Sequence, residues 1–142
     1  MRPKKVILLV DDNEQELSVL KFMLETNGYR VIEANSGNEA IEWFAEARPD
    51  LVLADFAMPH MNGNQLIHRL KSVASHVPMI LLGDPNAMTG IIHSADALLN
   101  KRMTTPAEFL ERIKTMSARK RGPRKGSASA LRCGPPRESV TA

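Results

Sequence analysis

Cysteine is almost missing from this chain: Cys133 stands alone among 142 residues. One thiol excludes an internal disulfide framework and agrees with a reducing, cytoplasmic compartment. Long apolar runs are missing too. None approaches the ~20 residues of a membrane helix, so membrane insertion is not expected. The basic start, Met1-Arg2-Pro3-Lys4-Lys5, resembles the head of a signal peptide. Val6 to Val10 is too short for its apolar core, and Asp11-Asp12 stands where a small-residue cleavage site belongs. His60, His68, His76 and His93 lack metal-ligand spacing. No internal repeat is present.

A basic surface is also missing, despite a net charge of +3 and a pI near 9.2. Residues 1–116 hold 12 lysines and arginines against 15 acids; residues 117–142 hold 7 against one. The excess positive charge therefore belongs to a tail. That tail is rich in Arg, Lys, Gly, Pro and Ser and poor in large apolar groups, so it is expected to be disordered. Its cluster Arg119-Lys120-Arg121 with Arg124-Lys125 offers contact with nucleic acid, an acidic protein or an anionic membrane surface. Residues 1–116 are expected to form one domain.

What is present is an alternation. Val6–Val10, Leu51–Ala54, Met79–Leu82 and Ala97–Leu99 are short apolar runs, suited to strands covered on both faces. Arg30–Ala34 is more polar, as an edge strand would be. Between them stand helix signals: Asn13 with Glu16, Ser36 with Glu39, and Thr105 with Glu108 pair a cap with an acid three residues on. Pro106 suits a first helical position. Five strand–helix alternations predict an α/β doubly wound parallel sheet with helices on both faces. The flavodoxin-like order 2-1-3-4-5 is a common five-strand solution. Between strands 4 and 5, Asp84–Gly90 is turn-rich and Ile91–Ser94 offers barely one helical turn, so a short or irregular fourth helix is expected.

In such a sheet ligands bind beyond the carboxyl ends of the strands, at the switch point. Strand 1 ends in Asp11-Asp12 and strand 3 in Asp55, with Lys101 after strand 5. Three clustered carboxylates repel, so one protonates or a cation neutralises them. Hard oxygen ligands suit Mg²⁺ or Mn²⁺. A carboxylate, a divalent ion and a lysine are the parts of phosphoryl transfer. Any one of these aspartates alone reads as a turn residue; three at one switch point are harder to dismiss.

Several motifs resemble the receiver domain of two-component response regulators. Val6-Ile-Leu-Leu-Val-Asp-Asp-Asn-Glu14 is similar to its first strand and acidic pair. Asp50-Leu-Val-Leu-Ala-Asp-Phe-Ala-Met-Pro-His-Met-Asn-Gly63 is similar to its acceptor strand and following loop, and is the most specific of the signals. Val77–Leu82 and Ala95–Lys101 resemble its strands 4 and 5. The resemblance covers residues 4–116. It implies a phosphoryl acceptor at Asp55 and Mg²⁺ held by Asp11, Asp12 and the Ala57 carbonyl. It further implies a loop shaped by Met58, Pro59 and Gly63, and Lys101 paired with the phosphoryl group. The implied donor is a histidine kinase or a phosphotransfer protein.

Four positions depart from that family. Gly83 stands where a Ser or Thr hydroxyl is usual, and Asp84 where a small neutral residue is. Asp84 either opposes a phosphoryl group electrostatically or forms a solvent-facing turn. Leu98 replaces an aromatic switch, and Lys101-Arg102 replaces a cis Lys-Pro. A cis bond here would cost ~2.5–4 kcal/mol, so Lys101 is expected to sit differently. The Gly83–Lys101 interval is short by about one helical turn.

The expected function is a response regulator phosphorylated at Asp55 with Mg²⁺, with output by protein–protein contact near strands 4 and 5. Homodimerisation stays open. Its rivals are a phosphorylation-independent binding module and a nucleic-acid-associated factor acting through the tail. No second acid/base pair supports a hydrolase, so an enzyme is not expected. No DNA-binding domain follows residue 116, so a stand-alone DNA-binding regulator is not expected.

Overall fold

The computed structural model describes residues 4–90 and 93–118. The strands are β1 (Val6–Val10), β2 (Arg30–Ala34), β3 (Leu51–Asp55), β4 (Met79–Gly83) and β5 (Ala97–Asn100). The helices are α1 (Glu14–Thr26), α2 (Gly37–Ala47), α3 (Gly63–Val73) and α4 (Pro106–Ser117). All strand pairings are parallel, in the order β2-β1-β3-β4-β5. The expected doubly wound sheet is therefore present, with the polar strand Arg30–Ala34 at an edge.

Continuous apolar strands divide their side chains between two cores, because successive residues point to opposite faces. Leu8, Val10, Val52, Ala54, Met79 and Leu81 pack with Leu66, Ile67 and Leu70 of α3 and Ala40 of α2. Ile7, Leu9, Leu51, Leu53, Ile80 and Leu82 pack with Leu17 and Leu24 of α1 and Phe109, Ile113 and Met116 of α4.

Caps set where the helices begin. Asn13 Oδ1 accepts from the backbone N–H groups of Gln15 and Glu16. Asn62 and Gln65 form a reciprocal cap on α3, and Thr105 and Glu108 another on α4. The Glu108 N–H donates to Thr105 Oγ1 at 3.2 Å, and the Thr105 N–H donates back to Glu108 Oε1 at 2.9 Å. The Thr105 N–H, and next the Thr105 hydroxyl donating to the same Oε1 at 3.1 Å, hold the Glu108 carboxyl below its ordinary range. Thr105→Ala should lower stability by about 1 kcal/mol, read as a shift in urea midpoint.

Asp84–Gly90 forms the turns its composition predicts, and the expected helical turn at Ile91–Ser94 includes residues 91 and 92, which lie outside the described residues. Among the described residues between β4 and β5 there are turns and irregular chain but no helix. Asp84 directs that turn: its Oδ1 accepts from the Asn86 N–H at 2.9 Å and its carbonyl from Ala87 at 3.0 Å. An Asp-Pro-Asn run satisfies its own backbone locally and so competes with a helix. The start of β5 is tied down by side chains instead. Asp96 accepts from the Met79 N–H at 2.8 Å and pairs with Lys71 at 2.6 Å. The expected basic tail falls, from residue 119 on, outside the described residues.

Candidate functional site

The register brings four strand ends to one edge. Val10 pairs with Ala54, Asp55 with Leu82, and Gly83 with Asn100. Asp11 follows β1, Asp55 closes β3, and Lys101 follows β5, so residues far apart in the chain meet. Lys101 Nζ donates to Asp11 Oδ2 at 2.7 Å and lies 3.3 Å from Asp55 Oδ2. It also pairs with Glu16 on the first turn of α1. Asp11 Oδ1 accepts from the Asn13 N–H at 3.0 Å, fixing the carboxylate at the mouth of α1. Asp12 is exposed, whereas Asp11 and Asp55 are only 1% and 5% exposed.

Burial raises the cost of charge here. Burial, and next the Asp11 carboxylate, push the Asp55 carboxyl up from 3.8 to about 6, against the pull of Lys101. Lys101 moves above its own ordinary range. Burial is the largest single influence on it and acts the other way, but hydrogen bonds to Asp11 and Glu16 and the charges of Asp55 and Asp11 outweigh it. A lysine held charged beside a carboxylate of raised pKa is an uncommon pairing, and such sites are often functional.

The family model of the response regulator receiver domain matches residues 7–114. The chain belongs to that family. PilH of Pseudomonas aeruginosa is 31% identical over 114 residues, which span 79% of this chain and 94% of PilH. The response regulator GtcR of Aneurinibacillus migulanus is 34% identical over 119 residues, 81% of this chain but 48% of GtcR. The chain thus spans about half of some curated relatives. Among solved structures, the response regulator TrrA of Thermotoga maritima, in complex with Mg²⁺ and BeF, superposes with a TM-score of 0.74 at 28% identity. That match covers 79% of this chain and 98% of TrrA.

The receiver domain's three carboxylates fit a hard cation. One oxygen from each of Asp11, Asp12 and Asp55 lies within 4.8 Å of the others. All-oxygen donors with an exposed side suit Mg²⁺ or Mn²⁺, which keep waters in their shell. Ala57 borders a cavity of about 400 Å³ beside the cluster, with Asp55, Lys101 and Glu16. No helix among the described residues is long and apolar enough to cross a membrane.

The departures from the family now have positions. A Cβ on Gly83 would lie 3.0 Å from Phe56 Cβ and 3.3 Å from Met88 Sδ. A flexible thioether thus crowds the place where a hydroxyl is usual. Asp84 borders the cavity while its carboxylate closes the turn. Leu98, at the aromatic position, is 43% exposed. Lys101 reaches the carboxylates although the described peptide bonds are all trans. Asn100 Oδ1 turns the chain instead, accepting from the Arg102 and Met103 N–H groups at 3.0 and 3.2 Å. A side-chain-capped turn thus delivers Lys101 to the carboxylates. Sequence reasoning missed Glu16, taken only as a capping acid. The available signal was its place on the first turn after Asp11-Asp12, on the side facing β5.

Proposed function

We propose that this receiver domain accepts a phosphoryl group on Asp55, with Mg²⁺ or Mn²⁺ held by Asp11, Asp12, Asp55 and the Ala57 carbonyl. The observation that carries the reading is the meeting of Lys101 with Asp11 and Asp55 at one strand-end crevice. The Mg²⁺–BeF complex of TrrA supports the choice of cation.

The chemistry follows from the chain's own groups. An Asp55 oxygen attacks phosphorus, the donor's bond to phosphorus breaks, and the donor's leaving group keeps the electron pair. Lys101 neutralises charge on the equatorial oxygens. Held by Asp11, Asp12, Asp55 and the Ala57 carbonyl, a divalent cation would supply further positive charge to the transfer. Asp11, anchored by the Asn13 N–H, orients both the cation site and Lys101. Receiver domains take their phosphoryl groups from histidine kinases or phosphotransfer proteins, and this chain is assigned such a donor. Its output is protein–protein contact beside β4 and β5. The working unit is residues 1–116, and residues 117–142 serve as a basic extension.

A second reading is a binding module indifferent to phosphorylation. Gly83, crowded by Met88, and the half-exposed Leu98 favour it, because the usual hydroxyl–aromatic coupling has no parts here. Incubation of the full chain with acetyl phosphate separates the two. The acceptor reading predicts a gain of one phosphoryl group by intact mass with Mg²⁺, none with EDTA, and none in Asp55→Asn. Persistent labelling of Asp55→Asn would assign the chemistry to another residue. No labelling by acetyl phosphate or by a kinase would favour the binding module.

A further inference from the structure

An ammonium has three N–H donors, and those of Lys101 face three carboxylates: Asp11, Asp55 and Glu16. A phosphoryl oxygen gains Lys101 only if one of these gives way. Asp11 is buried and anchored by the Asn13 N–H, and Asp55 carries the phosphoryl group itself. Glu16 differs from both. It lies outside the three-carboxylate cluster, borders the cavity, and its side chain is 45% exposed. It is the partner from which Lys101 can be taken at least cost.

We propose that Glu16 is a positioning residue acting through Lys101: it holds the ammonium at the cavity mouth and competes with the phosphoryl oxygens for it. It thereby slows both the gain and the loss of the phosphoryl group. This rests on the reading of Asp55 as acceptor. In gain, the donor's bond to phosphorus breaks as the Asp55 bond forms. In loss, a water oxygen attacks phosphorus, the Asp55 carboxylate leaves with its electron pair, and the water's proton passes to solvent. Negative charge spreads over the equatorial oxygens in both directions, so a free cation there speeds both.

An acid in the first turn of a helix also favours the helix dipole, and that ordinary role must be separated. Glu14 provides the control: it is exposed, lies in the same turn, and carries the same charge. The experiment measures labelling by acetyl phosphate with Mg²⁺, and loss after donor removal, on the full chain and its variants. Glu16→Gln should raise both rates roughly two- to fivefold, the range of a partly exposed ion pair. Glu14→Gln should leave both unchanged. In a Lys101→Ala background, Glu16→Gln should have no further effect.

Equal behaviour of the Glu14 and Glu16 variants would overturn the proposal. So would a Glu16→Gln effect that survives Lys101→Ala. The Lys101 ¹H–¹⁵Nζ signal gives a readout that needs no phosphorylation. Glu16→Gln should broaden it through faster proton exchange, and an unchanged signal would show that Glu16 does not hold Lys101. A wild type that takes up no phosphoryl group would sink the acceptor reading, and the rate claim with it. The Nζ signal would then decide the holding contact alone.

Discussion

Gly63→Ala should destabilise the domain by about 1–3 kcal/mol, the range for overpacking a filled site, although glycine to alanine in a helix normally stabilises by up to about 1 kcal/mol. The reversal has a local cause. A Cβ on Gly63 would strike the Asp55 carbonyl oxygen and lie 2.8 Å from both the Asp55 carbonyl carbon and Leu81 Cδ1. Backbone cannot yield as a side-chain tip can. The Gly63 N–H also donates to the Phe56 carbonyl at 3.1 Å, which seats α3 directly behind the acceptor. Gly37 is the comparison: it too begins a helix, but its Cβ would meet the flexible Met61 Sδ at 2.6 Å. Gly37→Ala should therefore cost far less. Paired urea melts test this, and labelling of Gly63→Ala should slow as Asp55 is displaced. Equal costs at the two glycines would show that the approach of α3 to Asp55 is not tight.

Asp55→Asn should make the metal-free protein more stable at neutral pH, by up to about 3 kcal/mol. Asp55 is ionised at neutral pH in both folded and unfolded chains, but burial raises its folded value to about 6 from 3.8. A raised carboxyl favours the folded state fully below pH ~4, and that advantage is lost as pH rises through ~6. The gain from Asp55→Asn should accordingly shrink between pH 7 and 4. Urea melts in EDTA across that range decide it. A gain constant with pH would mean that ionisation of Asp55 carries no folding penalty.

The sheet was legible because its strands are buried on both faces. Val6–Val10 and Leu51–Ala54 have no polar side to hide, and caps at Asn13, Ser36 and Thr105 separate the helices from them. Asp11, Asp12 and Asp55 were legible for a related reason: an acid closing an apolar strand lands at the carboxyl edge. Other features depend on contacts that no local pattern carries. Glu16 meets Lys101 across 85 positions. Met88 comes within 3.3 Å of a Cβ on Gly83 across the Asp84–Gly90 turn, a contact that the turn signals do not announce. Asn100 turns the chain after β5 by a side-chain cap within three residues. The motif at Asp50–Gly63 pointed to the acceptor but was silent on how closely Gly63 approaches it.

The most direct test of the central claim is to find the phosphoryl group's position in the chain. Treatment of the acetyl-phosphate-labelled protein with borohydride converts an aspartyl phosphate to homoserine, which peptide mass mapping locates. The account predicts homoserine at position 55 alone, formed with Mg²⁺ and not with EDTA. Homoserine at position 11 or 12, or a phosphoryl group on a histidine with Asp55 unchanged, would contradict it.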